Sequence, residues 1–272
     1  MRPYIGIVGL KNEDEVFRTA GMVHVALGAR EKTQKLIHLV QIGVQVTDRT
    51  LRGEVTESRR NPKVADIPGM FRTAMSFRED FFTVVHYTSK NHDLIFESVR
   101  KILGLEDMYK NGWCHGIQLN GCFGKIKPEV LSGIKDAYPD LKIILQLNGG
   151  VLESMNEPEI ARELVKFGGL TDYVLIDPSG GRGQKLDVGL SLEVAKEILY
   201  ITNRVAVAFA GGLRGSNVFG VVNRLRGGLR KKDFSIDAEG GLRDKVGEGY
   251  GNDNFNLCKA ESYFKEAVRA FR

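Results

Sequence analysis

The chain has 272 residues, enough for one (β/α)₈ barrel of about 250 and for a large core without disulfide staples. Charged residues make up 27% and the net charge is +5, a globular rather than a disordered composition. The three cysteines Cys114, Cys122 and Cys258 cannot all pair and show no metal-ligand spacing, which excludes a disulfide framework, fits a reducing cytosol and leaves no metal site to expect. No apolar run reaches the roughly 18 residues of a membrane span. The opening Met1-Arg2-Pro3-Tyr4 leads straight into a strand-like segment, so a cytoplasmic protein with no signal peptide and no membrane partner is expected. A pI near 9.0 permits an anionic ligand, but bases and acids are interleaved along the chain, which argues against nucleic acid. Homo-oligomerisation is left open.

Short apolar runs recur, each followed by a polar turn and a helical pattern. Tyr4–Val8 is the first, followed by Asn12 and Glu15 in capping-box spacing. Ile37–Val46 holds the second. Phe81–Tyr87 is the third, with a helix around Leu94–Leu103. Gly116–Asn120 is the fourth, and its helix starts near Pro128, a residue suited to a first helical position. Lys142–Asn148 precedes a helix from about Pro158 to Phe167. Asp172–Asp177 precedes a helix expected to be capped by Ser191. Arg204–Ala210 precedes a helix near Asn217, and Asp233–Asp237 is the eighth run. A final helix covers about Phe255–Phe271.

Eight strands alternating with helices predict parallel pairing with helices outside. Continuously apolar runs such as Val205–Ala210 fit a sheet covered on both faces. The expected fold is therefore an α/β (β/α)₈ barrel, one domain over residues 1–272. Residues 20–80 hold one clear strand and are expected to carry an extended helix and an inserted loop, Arg49–Pro68.

In such barrels the active site lies at the C-terminal strand ends, and phosphate often binds after strands seven and eight. Strand six ends in Asp177, a carboxylate at the barrel mouth able to act as general acid or base. It is followed by Gly180-Gly181-Arg182-Gly183, whose glycines allow a loop to close over a ligand. Strand seven ends in Gly211-Gly212, and strand eight in Asp237-Ala238-Glu239-Gly240-Gly241. Glycines in two successive loops expose backbone N–H groups beside a helix N-terminus, which suits a phosphate. The chain has 32 glycines, well above the usual share of about 7%. Gln118 and Asn120 share one face of strand four, and Gln146 and Asn148 one face of strand five. These amides bind either ligand hydroxyls or each other. His86, near the end of strand three, and Cys122, in a mouth loop, are candidate proton carriers. A core histidine and a bystander thiol are the plainer alternatives.

Several of these segments resemble phosphoribosylanthranilate isomerase, the (β/α)₈ enzyme of tryptophan biosynthesis. They are Val174–Asp177 with Gly180–Gly183 and Leu186-Asp187, Ala210–Leu213 with Asn217-Val218, and Asp237–Gly240. Ile117–Gly121 is similar to the strand-four motif, with asparagine where histidine is usual, and Ile7–Leu10 to the first strand. The resemblance runs from about residue 81 to the end and is thin over 20–80. It implies a cofactor-free aldose–ketose rearrangement of a phosphorylated sugar. It puts the general acid on Asp177 and the phosphate on the backbones near Gly183, Gly211, Gly212 and Gly240. The family's general base is a cysteine ending strand one; that position is Val8, which cannot move a proton. Cys122, His86 or the substrate itself would then carry the second proton. The arginine that holds the substrate carboxylate falls on one of Arg49, Arg52, Arg59 and Arg60. Two other functions remain open: a phosphosugar binder that has lost the reaction, and a lyase or hydrolase reusing the phosphate site.

Overall fold

The structure is a computed structural model that describes residues 1–28, 36–179, 185–202, 204–230, 232–249 and 251–272. Eight parallel strands close a barrel in sequence order: β1 (Tyr4–Val8), β2 (Leu39–Thr47), β3 (Phe81–Thr88), β4 (Gly116–Asn120), β5 (Lys142–Asn148), β6 (Tyr173–Asp177), β7 (Ala206–Ala210) and β8 (Ser235–Ala238). Closure is made where Ile5 pairs with Ile236 and Gly6 with Asp237. The (β/α)₈ architecture expected from the alternation is the observed one.

The helices are α1 (Glu13–Gly28), α2 (Asp48–Leu51), α3 (Ile67–Phe77), α4 (Ile95–Leu103), α5 (Pro128–Ala137), α6 (Gly149–Ser154), α7 (Glu157–Val165), α8 (Val188–Ile201), α9 (Val218–Gly228) and α10 (Leu257–Phe271). Local chemistry starts them. Asn12 Oδ1 accepts the Glu15 amide at 2.8 Å ahead of α1. Asn156 and Glu159 form a capping box on α7. For α8 the cap is Asp187, not Ser191: the Asp187 carboxylate accepts the amides of Gly189 and Leu190, and Ser191 lies buried inside the helix. A carboxylate reaching two orphan first-turn donors makes the better cap.

Residues 20–80 hold the long α1, β2, the short α2 and then α3, with an irregular stretch between Leu51 and Val64. That stretch lies against a hairpin of β9 (Arg243–Lys245) and β10 (Asp253–Phe255), which the sequence reading did not anticipate. The Arg59 amide donates to Gly251 O at 2.8 Å, so the hairpin and the loop after β2 are tied together.

Strand alternation splits the side chains into two shells. Outward residues join one large core with the helices. Inward residues form a second cluster that includes Tyr4, Phe82, Val84, Ile144, Tyr173 and Leu175. Tyr4, Phe82 and Tyr173 stack edge-on or tilted, with ring centres 5.3–6.0 Å apart, and plug the N-terminal end of the barrel. Burying each such ring stabilises the fold by about 1.5–3 kcal/mol. Among the described residues, no helix is long and apolar enough to cross a membrane.

Candidate active site at the barrel mouth

Further along six of the eight strands, the inward positions change chemistry. They become Gln45, His86, Gln118, Gln146, Asp177 and Asp237, with Thr47, Thr88, Asn120, Asn148 and Glu239 above them. All of these line one cavity of about 1100 Å³, open at the C-terminal strand ends. Gly211, Gly212 and Gly240 line it too.

Asp177 ends β6 and is buried. Gln146 Nε2 donates to its Oδ2 at 2.8 Å, and the Ser179 amide and hydroxyl donate to its Oδ1 at 3.1 and 2.8 Å. Between β6 and β8 the barrel wall carries only alanines, Ala206, Ala208 and Ala210. Ile176 pairs with Phe209 and Ala210 pairs with Asp237. Asp177 and Asp237 therefore flank Ala210 at one level, with a methyl group between them. Ala210 leads directly into Gly211 (φ +130°) and Gly212 (φ +55°), backbone that side-chain-bearing residues rarely adopt. Asn217 holds this turn: its Nδ2 donates to Gly212 O and its Oδ1 accepts the Arg214 amide, both at 2.9 Å. The first-turn amides of α9 follow, with the positive end of the helix dipole.

Asp237 is 5% exposed, and its Oδ1 has no hydrogen-bond partner among the described residues. Burial pushes its carboxyl well above the ordinary 3.8, and the nearby Glu239 and Asp177 push it further. Glu239 is raised by burial, partly offset by Arg60, whose Nη1 donates to it at 2.5 Å. Arg60 also grips Asp253 of the hairpin, and Arg243 Nε donates to the same carboxylate at 2.6 Å. This buried network clamps the loop after β2 onto the end of β8.

The four arginines left open by the sequence separate here. Arg60 is engaged in the clamp, and Arg59 donates to Asn254 at 3.0 Å. Arg49 and Arg52 line the outer cavity beside Lys90, both paired with Glu54.

The amide pairs also resolve. Gln118 Nε2 donates to Asn120 Oδ1 at 2.8 Å, so these two bind each other, and Gln118 Oε1 is left without a partner among the described residues. Gln146 turns to Asp177, and Asn148 caps α6 by accepting the Val151 amide.

His86 is buried with its ring nitrogen Nε2 accepting from Gln41 Nε2 at 2.8 Å. Burial pulls its pKa down to about 3, so the ring is neutral. It lies by Val8 over β2: a Cβ on Gly43 would meet Val8 Cγ1 at 2.8 Å and His86 Nε2 at 2.9 Å.

The expectation for Cys122 is corrected. Its side chain is 1% exposed, packs in the outer core rather than lining the cavity, and burial drives its thiol up to about 12. A thiol there is neither a ready base nor a nucleophile. Gly181 and Gly183 lie outside the described residues. Among the described residues, no group of three or more His, Cys, Asp and Glu is placed to hold a metal. Gly6 and the hairpin are the features around the site that the sequence did not single out, and it did not separate Arg60 from the other three arginines.

Fold and cavity together define a (β/α)₈ barrel with an acid-flanked, glycine-edged pocket at its C-terminal face. Neither a protein-family model nor a curated protein sequence matches the chain. Solved structures match over almost its whole length. TrpF from Jonesia denitrificans has a TM-score of 0.57 at 13% identity, covering 98% of this chain and 98% of that one. Tryptophan synthase subunit alpha from Legionella pneumophila str. Paris has 0.54 at 10%, covering 98% and 91%. A GH113 beta-1,4-mannanase has 0.54 at 10%, covering 100% and 99%. At these identities the likeness is one of fold, and proteins of such different names share it, so function rests on the site.

Proposed function

We propose that the protein is a cofactor-free isomerase that interconverts aldose and ketose forms of a small phosphorylated sugar, as the resemblance to phosphoribosylanthranilate isomerase implies. The observation that carries the proposal is Asp177 beside Ala210 and the Gly211-Gly212 turn. A proton-transferring carboxylate and a cradle of backbone amides then face one cavity. Aldose–ketose exchange moves protons between neighbouring carbon and oxygen atoms and needs no redox partner, so such a site is sufficient in kind. The phosphate binds at Gly211, Gly212, Gly240 and the start of α9, where close glycine backbone and the helix dipole favour an anion. Gln118, which lines the cavity, meets a sugar hydroxyl.

Phosphoribosylanthranilate is the first substrate to assay, by loss of its fluorescence. Asp177→Asn keeps the side-chain shape and removes the carboxylate. It lowers turnover by about 10²–10⁴-fold, the usual worth of a general acid or base. An Asp177→Asn variant as active as wild type overturns the assignment.

Val8 favours a second reading, a phosphosugar-binding protein without turnover, because the end of β1 offers only an aliphatic side chain. Wild-type protein that binds the substrate by calorimetry and leaves it unchanged establishes that reading instead.

A further inference from the structure

We propose that Asp237 is the second proton carrier of this site, giving a proton to the C1 oxygen or nitrogen of the opened substrate while Asp177 takes the proton of the neighbouring carbon. The inference rests on the isomerase proposal above; it makes Asp177 the base rather than the acid that the resemblance implies, and gives the site the second proton carrier that Val8 cannot be.

The geometry begins at the barrel seam. Gly6 pairs with Asp237, and the Asp237 carboxyl occupies the space that a β1 side chain would fill: a Cβ on Gly6 would lie 2.3 Å from Asp237 Oδ1. Gly6 precedes Val8 by two residues on the same inward column. Asp237 therefore brings an ionisable oxygen from β8 to the β1 side of the barrel interior. The residue is buried and lines the cavity, while its Oδ1, turned toward Gly6, has no partner among the described residues. Buried polar atoms are nearly always satisfied, so a carboxyl at a cavity wall with one oxygen unsatisfied is free to carry a proton for a ligand.

The two carboxyls also differ in surroundings. Asp177 has three donors on its oxygens, the environment of a proton acceptor. Asp237 has burial and two neighbouring carboxylates raising its carboxyl, with the Ala238 amide partly opposing them, surroundings that favour the donating form. Environments that separate two carboxyls in this way divide acid from base. A substrate over Ala210 lies between them.

The chemistry balances. Asp177 removes the proton from C2 of the open-chain aldose. The C2–H electron pair becomes the C1=C2 bond, and the C1=O pair (the C1=N pair in opened phosphoribosylanthranilate) takes the Asp237 proton, giving an enediol or an enaminol. Asp177 then returns its proton to C1. The O2–H proton goes back to Asp237 as C2=O forms. Both residues end as they began, and the product is the ketose.

The test uses wild type, Asp237→Asn and Asp177→Asn of the full chain, with phosphoribosylanthranilate and ribose 5-phosphate as probes. Asp237→Asn is expected to lower kcat about 10²–10⁴-fold with KM unchanged. It should also abolish the alkaline fall of kcat that loss of the Asp237 proton gives the wild type. Infrared difference spectra at pH 7 should show a protonated carboxyl in wild type that Asp237→Asn lacks. If Asp237→Asn fails to fold, Asp237→Ala, which leaves only a gap beside Gly6, replaces it. An active wild type with an equally active Asp237→Asn overturns this proposal and leaves the isomerase standing. So does an active wild type whose protonated-carboxyl signal survives in Asp237→Asn. A wild type inactive on both probes overturns the isomerase reading and this role with it.

Discussion

The two ends of the barrel interior use the same strands and the same alternation but opposite chemistry. At the N-terminal end, Tyr4, Phe82 and Tyr173 interlock with Val84, Ile144 and Leu175. The Tyr173 hydroxyl is satisfied by Arg2 O at 2.7 Å. Two residues further along, the inward positions are amides, an imidazole and carboxyls around a cavity, and Gln118 Oε1 and Asp237 Oδ1 are unsatisfied among the described residues. Tyr4 joins the halves: its hydroxyl also has no partner among the described residues, and burial first, then the neighbouring Asp237, raises its pKa. The packed end supplies the free energy that lets the mouth hold groups in unfavourable surroundings, the usual relation of a strained site to its scaffold.

Phe82→Ala removes the ring that touches both Tyr4 and Tyr173, and is expected to destabilise the fold by about 3–5 kcal/mol. Urea unfolding reads this directly. Substrate affinity of the folded protein should be unchanged, because Phe82 does not line the cavity. A fall in affinity without a fall in stability would show that the two ends are not separable.

A smaller effect comes from the seam between the ends. Gly6→Ala places a methyl where Asp237 Oδ1 now lies, and overpacking of this kind costs about 1–3 kcal/mol. It should also lower turnover, since the carboxyl must swing out of its place beside β1. Thermal unfolding and the isomerase assay together check it. Full turnover in Gly6→Ala would show that the Asp237 position is of no consequence.

These residues also mark what the sequence made legible. Asp177, Asp237 and the Gly211-Gly212 turn could be found because strand alternation and the barrel rule point at strand ends. Arg60 could not be told from Arg59, Arg49 or Arg52, because its partners Glu239 and Asp253 lie 179 and 193 residues away. The β9–β10 hairpin has three-residue strands with no apolar run, so periodicity has nothing to detect. Gly6 gives no local reason for being glycine; the reason is a side chain on β8. Cys122 follows Gly121 at φ +72° and packs in the outer core rather than at the mouth, a placement that composition does not encode.

The smallest effect sharpens the comparison by isolating one group. Asp237 is held above its ordinary 3.8 by burial first, then by Glu239 and Asp177, while the Ala238 amide lowers it. Tyr4 on β1 and Tyr263 on α10 also face it, and both are themselves raised by burial and neutral. Below about pH 4 Asp237 is protonated in both folded and unfolded chains, and its contribution to pH dependence vanishes. As pH rises, the unfolded chain releases this proton and the folded one keeps it, so stability falls until the folded carboxyl itself ionises. The slope from one such group is at most about 1.4 kcal/mol per pH unit. Glu239 acts with the same sign, because its carboxyl is also raised. Asp253 acts with the opposite sign: burial raises it, but the ion pairs with Arg60 and Arg243 outweigh that and lower it. Asp237→Asn leaves these others in place and removes the Asp237 share alone. Its stability advantage over wild type, read from urea midpoints, should therefore be present at pH 7 and shrink toward pH 4. Parallel curves for the two proteins would mean that Asp237 is ionised in the folded state, and the acid at the mouth would have to be sought elsewhere.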